Sequence, residues 1–218
     1  NIEFSYDESR KKIFNNLNIE IKKNTIIGIV GSSGSGKTTF IDILVGLILN
    51  RKGSLKVDGK EIDEKNVKSY QKNFGYIPQN FYLFDNSVRQ NIAINEHNSK
   101  TTNEMEDKII LEILENLKLN KILSEKGLDT QVGENAIRLS GGQRQRLGIA
   151  RILFHNKEIL LLDEATNALD KQTEREIFDL IYSLRGRKTI IISTHSVEML
   201  NNCDEVYEIK DSNFIKVK

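Results

Sequence analysis

Apolar residues gather along this chain in short unbroken runs, separated by stretches where they recur every third or fourth position. Ile26-Ile27-Gly28-Ile29-Val30, Ile159-Leu160-Leu161-Leu162 and Thr189-Ile190-Ile191-Ile192 are such runs. A run this short, apolar on both faces, predicts a parallel strand buried on both sides. Phe74-Gly75-Tyr76-Ile77 predicts a further short strand, stopped by Pro78. Ile19 and Ile21 alternate with polar neighbours and predict a half-buried strand. Leu55 to Val57, followed by Asp58-Gly59, predicts a strand and a turn.

Between the runs the period changes. Phe40, Ile41, Leu44, Val45 and Ile48 predict a helix over 38–49. Helices are also predicted over 143–154 and 173–184. Ile109, Ile110, Ile113, Leu114 and Leu117 mark helical spacing inside the polar stretch from Asn80 to about Gly133, which reads as an inserted helical lobe. The polar run from Asn95 to Thr102 reads as a loop at its edge. Strands alternating with helices predict an α/β fold with a mostly parallel sheet.

Composition narrows the classes. The chain has 218 residues, 38% hydrophobic and 29% charged, in the range of a globular protein. A net charge of +1 argues against a nucleic-acid binder. No apolar run approaches the length of a membrane span. A single cysteine, Cys203, allows no internal disulfide and fits a reducing compartment. The first residue is Asn1 and the chain opens inside the strand-like Ile2-Glu3-Phe4-Ser5-Tyr6, which reads as a fragment of something longer.

The chemistry sits where the runs end. The first run leads into Gly31-Ser32-Ser33-Gly34-Ser35-Gly36-Lys37-Thr38, which fits the phosphate-cradling pattern G-x-x-x-x-G-K-[ST] in its required strand–loop–helix context. Glycines and small serines let backbone N–H groups turn onto a phosphate, and the following helix adds its positive end. Lys37 can reach the terminal phosphates and the Thr38 hydroxyl can ligate Mg²⁺. Thr39 joins this nucleotide-binding set.

Asp163 and Glu164 follow the second run, where ligands bind in open α/β sheets. By itself such a pair is commonly just solvated. Beside a phosphate loop, Asp163 is expected to hold Mg²⁺ and Glu164 to polarise the attacking water. His195 follows the third run and can contact a γ-phosphate; Gln79 follows Pro78 and can contact Mg²⁺ or the water. Tyr6 is a candidate for stacking on adenine, although an aromatic in a strand is more often core. Ser140-Gly141-Gly142-Gln143 fits the capping box S-x-x-Q and predicts a helix start with open glycine N–H groups, an anion site. Its target is a phosphate held either by the same molecule or by a second copy; the residues do not choose. Arg144, Arg146 and Arg151 read as a solvated helix face, and His97 and His155 as surface residues.

Taken together, these residues make the chain similar to the nucleotide-binding domain of ABC transporters over nearly its whole length. Gly31–Thr38 resembles the Walker A loop, Gln79 the Q-loop glutamine, and Leu139-Ser140-Gly141-Gly142-Gln143 the family signature. Ile159–Asp163 resembles Walker B with Glu164 in the place of the catalytic glutamate. Ala168-Leu169-Asp170 resembles the D-loop, which adds Asp170 to the nucleotide-binding set. His195 resembles the switch histidine and Tyr6 the adenine-stacking tyrosine. The resemblance implies a P-loop core (1–79 and 134–218) with a mostly parallel central sheet and an antiparallel β subdomain, and a helical subdomain at 80–133. It also implies a head-to-tail dimer with ATP and Mg²⁺ between Walker A of one copy and the signature of the other. A transmembrane domain lies elsewhere in such a transporter, at whose cytoplasmic face the ATPase works. Phe81 to Val88 with Asn91-Ile92, and Thr130-Gln131-Val132-Gly133-Glu134, are similar to segments of exporters, and the Phe81 to Ile92 and Ser193 to Val197 regions resemble those of lipid-linked oligosaccharide flippases. Asn167 stands where a serine is common, and Ser196-Val197 after His195 departs from the usual pattern. The alternative is a non-transport ATPase of the same superfamily, acting in translation or DNA repair.

Overall fold

The computed structural model describes residues 1–6, 12–49, 51–94, 104–133 and 139–218. The predicted loop at 95–102, His97 and Glu134 lie outside the described residues. In chain order the first elements are β1 (Ile2–Phe4), β2 (Phe14–Leu17), β3 (Ile26–Val30), α1 (Lys37–Val45), β4 (Lys56–Val57), β5 (Lys60–Glu61), α2 (Val67–Gln71) and β6 (Phe74–Ile77). They are followed by α3 (Val88–Ala93), α4 (Glu104–Asn116), α5 (Gly141–Phe154), β7 (Ile159–Asp163), α6 (Lys171–Tyr182), β8 (Thr189–Ser193), α7 (Val197–Leu200), β9 (Glu205–Lys210) and β10 (Asn213–Lys216).

The described residues form two compact units. The first comprises Asn1–Phe74, Glu158–Asp163 and Leu184–Lys218. Its sheet runs β10-β9-β3-β8-β7, with β3 parallel to β8 and β9, β7 parallel to β8, and β10 antiparallel to β9. The three apolar runs are its central strands, and nearly every residue in them is buried, as continuous apolar runs require. The antiparallel pairs β1–β2 and β4–β5 complete the strands of this unit; Asp58 and Gly59, both at positive φ, turn the second.

Two expectations fail here. Ile19 and Ile21 lie in irregular chain and are half-buried; the strand in this region is β2, which ends at Leu17. Helix α1 ends at Val45 rather than continuing to Leu49, because Gly46 takes the left-handed conformation (φ 77°) and closes the helix with its N–H on the carbonyls of Asp42 and Ile43. Leu47, beyond that stop, is exposed.

The second unit comprises Gly75–Lys157 and Glu164–Ser183. Helices α3 and α4 pack on α5. The spacing read from the sequence places Ile110, Leu114 and Leu117 inside, while Ile109 stays largely exposed. Helix α3 starts in a capping box of Ser87 and Gln90. Helix α6 starts at Lys171, two residues before the predicted point, because Asp170 caps it. Among the described residues no helix is long and apolar enough to cross a membrane.

The basic cluster is not a solvated face. Arg144 is exposed, but Arg146 donates to the carbonyls of Leu117 and Lys118, both at 3.1 Å. Arg151 donates to the carbonyls of Asn91 (2.9 Å) and Tyr82 (3.2 Å) and lies over the Phe84 ring. The reason is reach: each long side chain carries its guanidinium to carbonyls of a neighbouring segment. His155 is likewise half-buried; burial first, then the charges of Lys157 and Arg151, push its imidazole below the usual value.

Candidate functional site

The phosphate loop hangs between β3 and α1. Gly36 precedes the helix at φ 106° and no side chain caps α1, so its first N–H groups stay open to an anion. A Cβ on Gly36 would stand 2.8 Å from Ile13 Cγ2 and 3.1 Å from Phe14 Cζ, which leaves this position to glycine. Lys37 is buried, an unusual place for an ammonium, and donates to the carbonyls of Gly31 (2.9 Å) and Ser32 (3.3 Å). The Ser35 hydroxyl is buried with no hydrogen-bond partner. A buried cation and an orphaned hydroxyl around open N–H groups are the polar surface that phosphates satisfy.

The sheet register brings the other strand ends to the same level. Ser193 is paired with Ile29 on one side and Asp163 on the other, so β3, β7 and β8 finish together. The Thr38 hydroxyl donates to Asp163 Oδ2 at 3.1 Å, joining the two residues expected to hold Mg²⁺. Asp163 is 2% exposed. Asp42 lies close enough to feel it: burial, then the Asp163 charge, raise the Asp42 pKa above the ordinary carboxylate value. The Thr38 hydroxyl and the Asp163 carboxylate are oxygen donors of the kind a hard divalent cation takes.

His195 follows β8 and is exposed; the Ser193 hydroxyl, two residues earlier, is buried and unpartnered. Tyr6 is 67% exposed, its hydroxyl is 3.2 Å from Thr39 Oγ1, and its ring stands edge-on to Phe4. It is not core. One ring face turned to water beside the loop suits a planar base.

The remaining candidates belong to the second unit. Glu164, joined to Asp163 by a peptide bond, has a left-handed backbone (φ 51°). Gln79 Nε2 and Asn167 Nδ2 both donate to its Oε2 at 2.8 Å. The capping box at α5 is formed as the spacing predicts: Ser140 N–H donates to Gln143 Oε1 (2.8 Å) and Gln143 N–H to Ser140 Oγ (3.2 Å). Gly141 and Gly142 lie against Ala168 and Leu169, and Gln145 Oε1 accepts from Ala168 N–H at 3.0 Å. Asp170 accepts from Thr173 N–H and hydroxyl, which hold its carboxyl below the usual range. The structure thus groups Gly31–Thr38, Asp163 and Tyr6 within one unit, with His195 at a neighbouring strand end. It groups Gln79, Glu164, Asn167, Ser140–Gln143 and Asp170 within the other.

Comparison with known proteins bears on these groupings. The family model described as "ABC transporter" matches residues 14–167. An ATP-dependent lipid A-core flippase of Pasteurella multocida is 35% identical over 96% of this chain and 36% of its own length. ABC transporter B family member 2 of Dictyostelium discoideum is 36% identical over 100% of this chain and 15% of its own length. A bacterial Atm1-family ABC exporter, solved with ATP bound, superposes with a TM-score of 0.87 at 29% identity, over 99% of this chain and 37% of its own. The chain therefore spans little more than a third of the flippase and of the exporter.

Proposed function

The chain belongs to the ABC transporter family as an exporter-type ATPase domain, and we propose that it hydrolyses Mg-ATP between two head-to-tail copies to drive a transmembrane partner. The observation that carries this reading is the Thr38–Asp163 hydrogen bond beside the phosphate loop. It couples the loop to the end of a buried strand, the arrangement phosphoryl transfer needs for positioning and charge neutralisation.

Each residue has a role in the reading. Tyr6 stacks on adenine, and its Thr39 neighbour buttresses the ring. The N–H groups of Gly31, Ser32, Ser33, Gly34, Ser35 and Gly36 and the Lys37 ammonium take the phosphates. Thr38 and Asp163 would hold Mg²⁺, and Gln79 is the third residue that would ligate it. The cation, when bound, neutralises charge on the phosphate oxygens. Glu164 accepts a proton from the attacking water, and His195 orients the γ-phosphate. Ser140, Gly141, Gly142 and Gln143 of a second copy cover that phosphate with open helix-start N–H groups, and Asp170 shapes the adjoining loop. The partner is a transmembrane domain that docks on the Phe81–Val88 region at the cytoplasmic face of the membrane. The cargo class is an amphipathic lipid carrying a saccharide, a reading supported by relatives named as lipid A-core flippases.

Phosphate release from the 218-residue chain tests the reading. Glu164→Gln keeps ATP binding and lowers kcat by about a hundredfold or more, since a general base contributes 10²–10⁴. Turnover near that of the wild type would remove Glu164 from the role of base.

A further inference from the structure

The strongest unassigned feature is the amide that shares Glu164 with Gln79. Asn167 Nδ2 donates to the carboxylate at 2.8 Å, and Asn167 N–H donates to the Glu164 carbonyl at 3.3 Å. One residue therefore closes the turn and grips the side chain that the turn presents. The turn itself is anchored at several points. Ala165 and Thr166 are buried, and Leu169 N–H donates to the Thr166 carbonyl at 3.0 Å. The Thr166 hydroxyl donates to Glu174 Oε1 at 3.0 Å. Gln145, on the helix that Ser140 caps, accepts from Ala168 N–H. The left-handed backbone at Glu164 is costly for a side chain and persists only where the surroundings hold it.

We propose that Asn167 is a positioning residue for hydrolysis, setting the rotamer of Glu164 by donating to its Oε2, with Gln145 fixing the loop that carries it. The proposal rests on Glu164 being the general base. A carboxylate only accepts hydrogen bonds, so the amide NH₂ is the group that must face it, and an acid at position 167 cannot replace it. Gln79 donates to the same oxygen. A base displaced by about 1 Å costs up to a hundredfold in rate, which sets the scale of the expected effect.

The test is steady-state ATP hydrolysis by Asn167→Ala, Asn167→Asp and Gln145→Ala, with the first two repeated on a Glu164→Gln background. Asn167→Ala is expected to lower kcat by about tenfold to a hundredfold with KM for ATP changed by less than about twofold. Asn167→Asp is expected to lose more, because it sets one carboxylate against another. Gln145→Ala gives a smaller loss of the same kind. On the Glu164→Gln background neither Asn167 variant lowers the residual rate further, because the residue acts only through the carboxylate. A kcat within twofold of wild type in Asn167→Ala overturns the proposal. So does an equal fold-loss on both backgrounds, which is what a merely structural turn residue gives. If Asn167→Ala does not fold, Asn167→Asp and Gln145→Ala decide the matter by the same criteria. Near-normal turnover in Glu164→Gln alone would instead sink the assignment of the base, whatever Asn167 does.

Discussion

Replacing Arg151 with methionine removes a clamp whose strength can be worked from its contacts. Its guanidinium donates from Nε to the Asn91 carbonyl at 2.9 Å and from Nη1 to the Tyr82 carbonyl at 3.2 Å. Hydrogen bonds to a charged group contribute about 1.5–3 kcal/mol each. The guanidinium carbon lies 5.8 Å from the centre of the Phe84 ring, a contact of about 0.5–1 kcal/mol. Against these runs the cost of taking the cation out of water, the cause that lowers the Arg151 pKa. The net loss is therefore about 2–4 kcal/mol. For a chain of this size that corresponds to a fall in Tm of about 4 to 16 °C. Methionine keeps most of the apolar stem, so the loss reports the polar contacts rather than a cavity. Urea and thermal melts of Arg151→Met, with the exposed Arg144→Met as control, measure it. Arg144→Met should stay within about 0.5 kcal/mol of wild type. Arg151→Lys should recover little, since one ammonium cannot reproduce two donors in a fixed fork. A loss below about 1 kcal/mol, or one equal to that of the control, refutes the reasoning.

Two further substitutions probe the nucleotide half. Tyr6→Ala should weaken ATP binding by about 1–2 kcal/mol in a fluorescent-nucleotide titration, while Tyr6→Phe keeps most of the affinity; equal losses would deny the ring its stacking role. Gly36→Ala combines a backbone that disfavours side chains with a Cβ pressed on Ile13 and Phe14. It should cost about 2–4 kcal/mol in a thermal melt. Gly34→Ala, with open space around its Cβ, should cost only the backbone part, and equal costs would contradict the packing account.

What could be read in the sequence follows from what leaves a linear trace. The central strands are legible because a strand buried on both faces has to be an unbroken apolar run. The phosphate loop and the Ser140 capping box are legible because each is a local motif whose partners lie within a few residues. Ile19 and Ile21 mislead because alternation without a strand to pair with makes no ladder. The end of α1 was overrun because Gly46 terminates the helix through its φ, although the apolar spacing continues past it. Arg151 departs from the expected solvated face because its partners, Asn91 and Tyr82, are 60 and 69 residues away in the chain. The grip of Asn167 on Glu164 is local, yet it depends on a turn conformation that the residue types do not spell out.

The most direct measurement of the central claim is the mass of the Glu164→Gln chain in solution, by light scattering, with and without Mg-ATP. A composite site made of Gly31–Thr38 from one copy and Ser140–Gln143 from another predicts a monomer alone and a dimer with Mg-ATP. Substituting Ser140→Arg on the same background should abolish that dimer while leaving ATP bound. A chain that stays monomeric when saturated with Mg-ATP, or dimerises equally without it, would contradict the account.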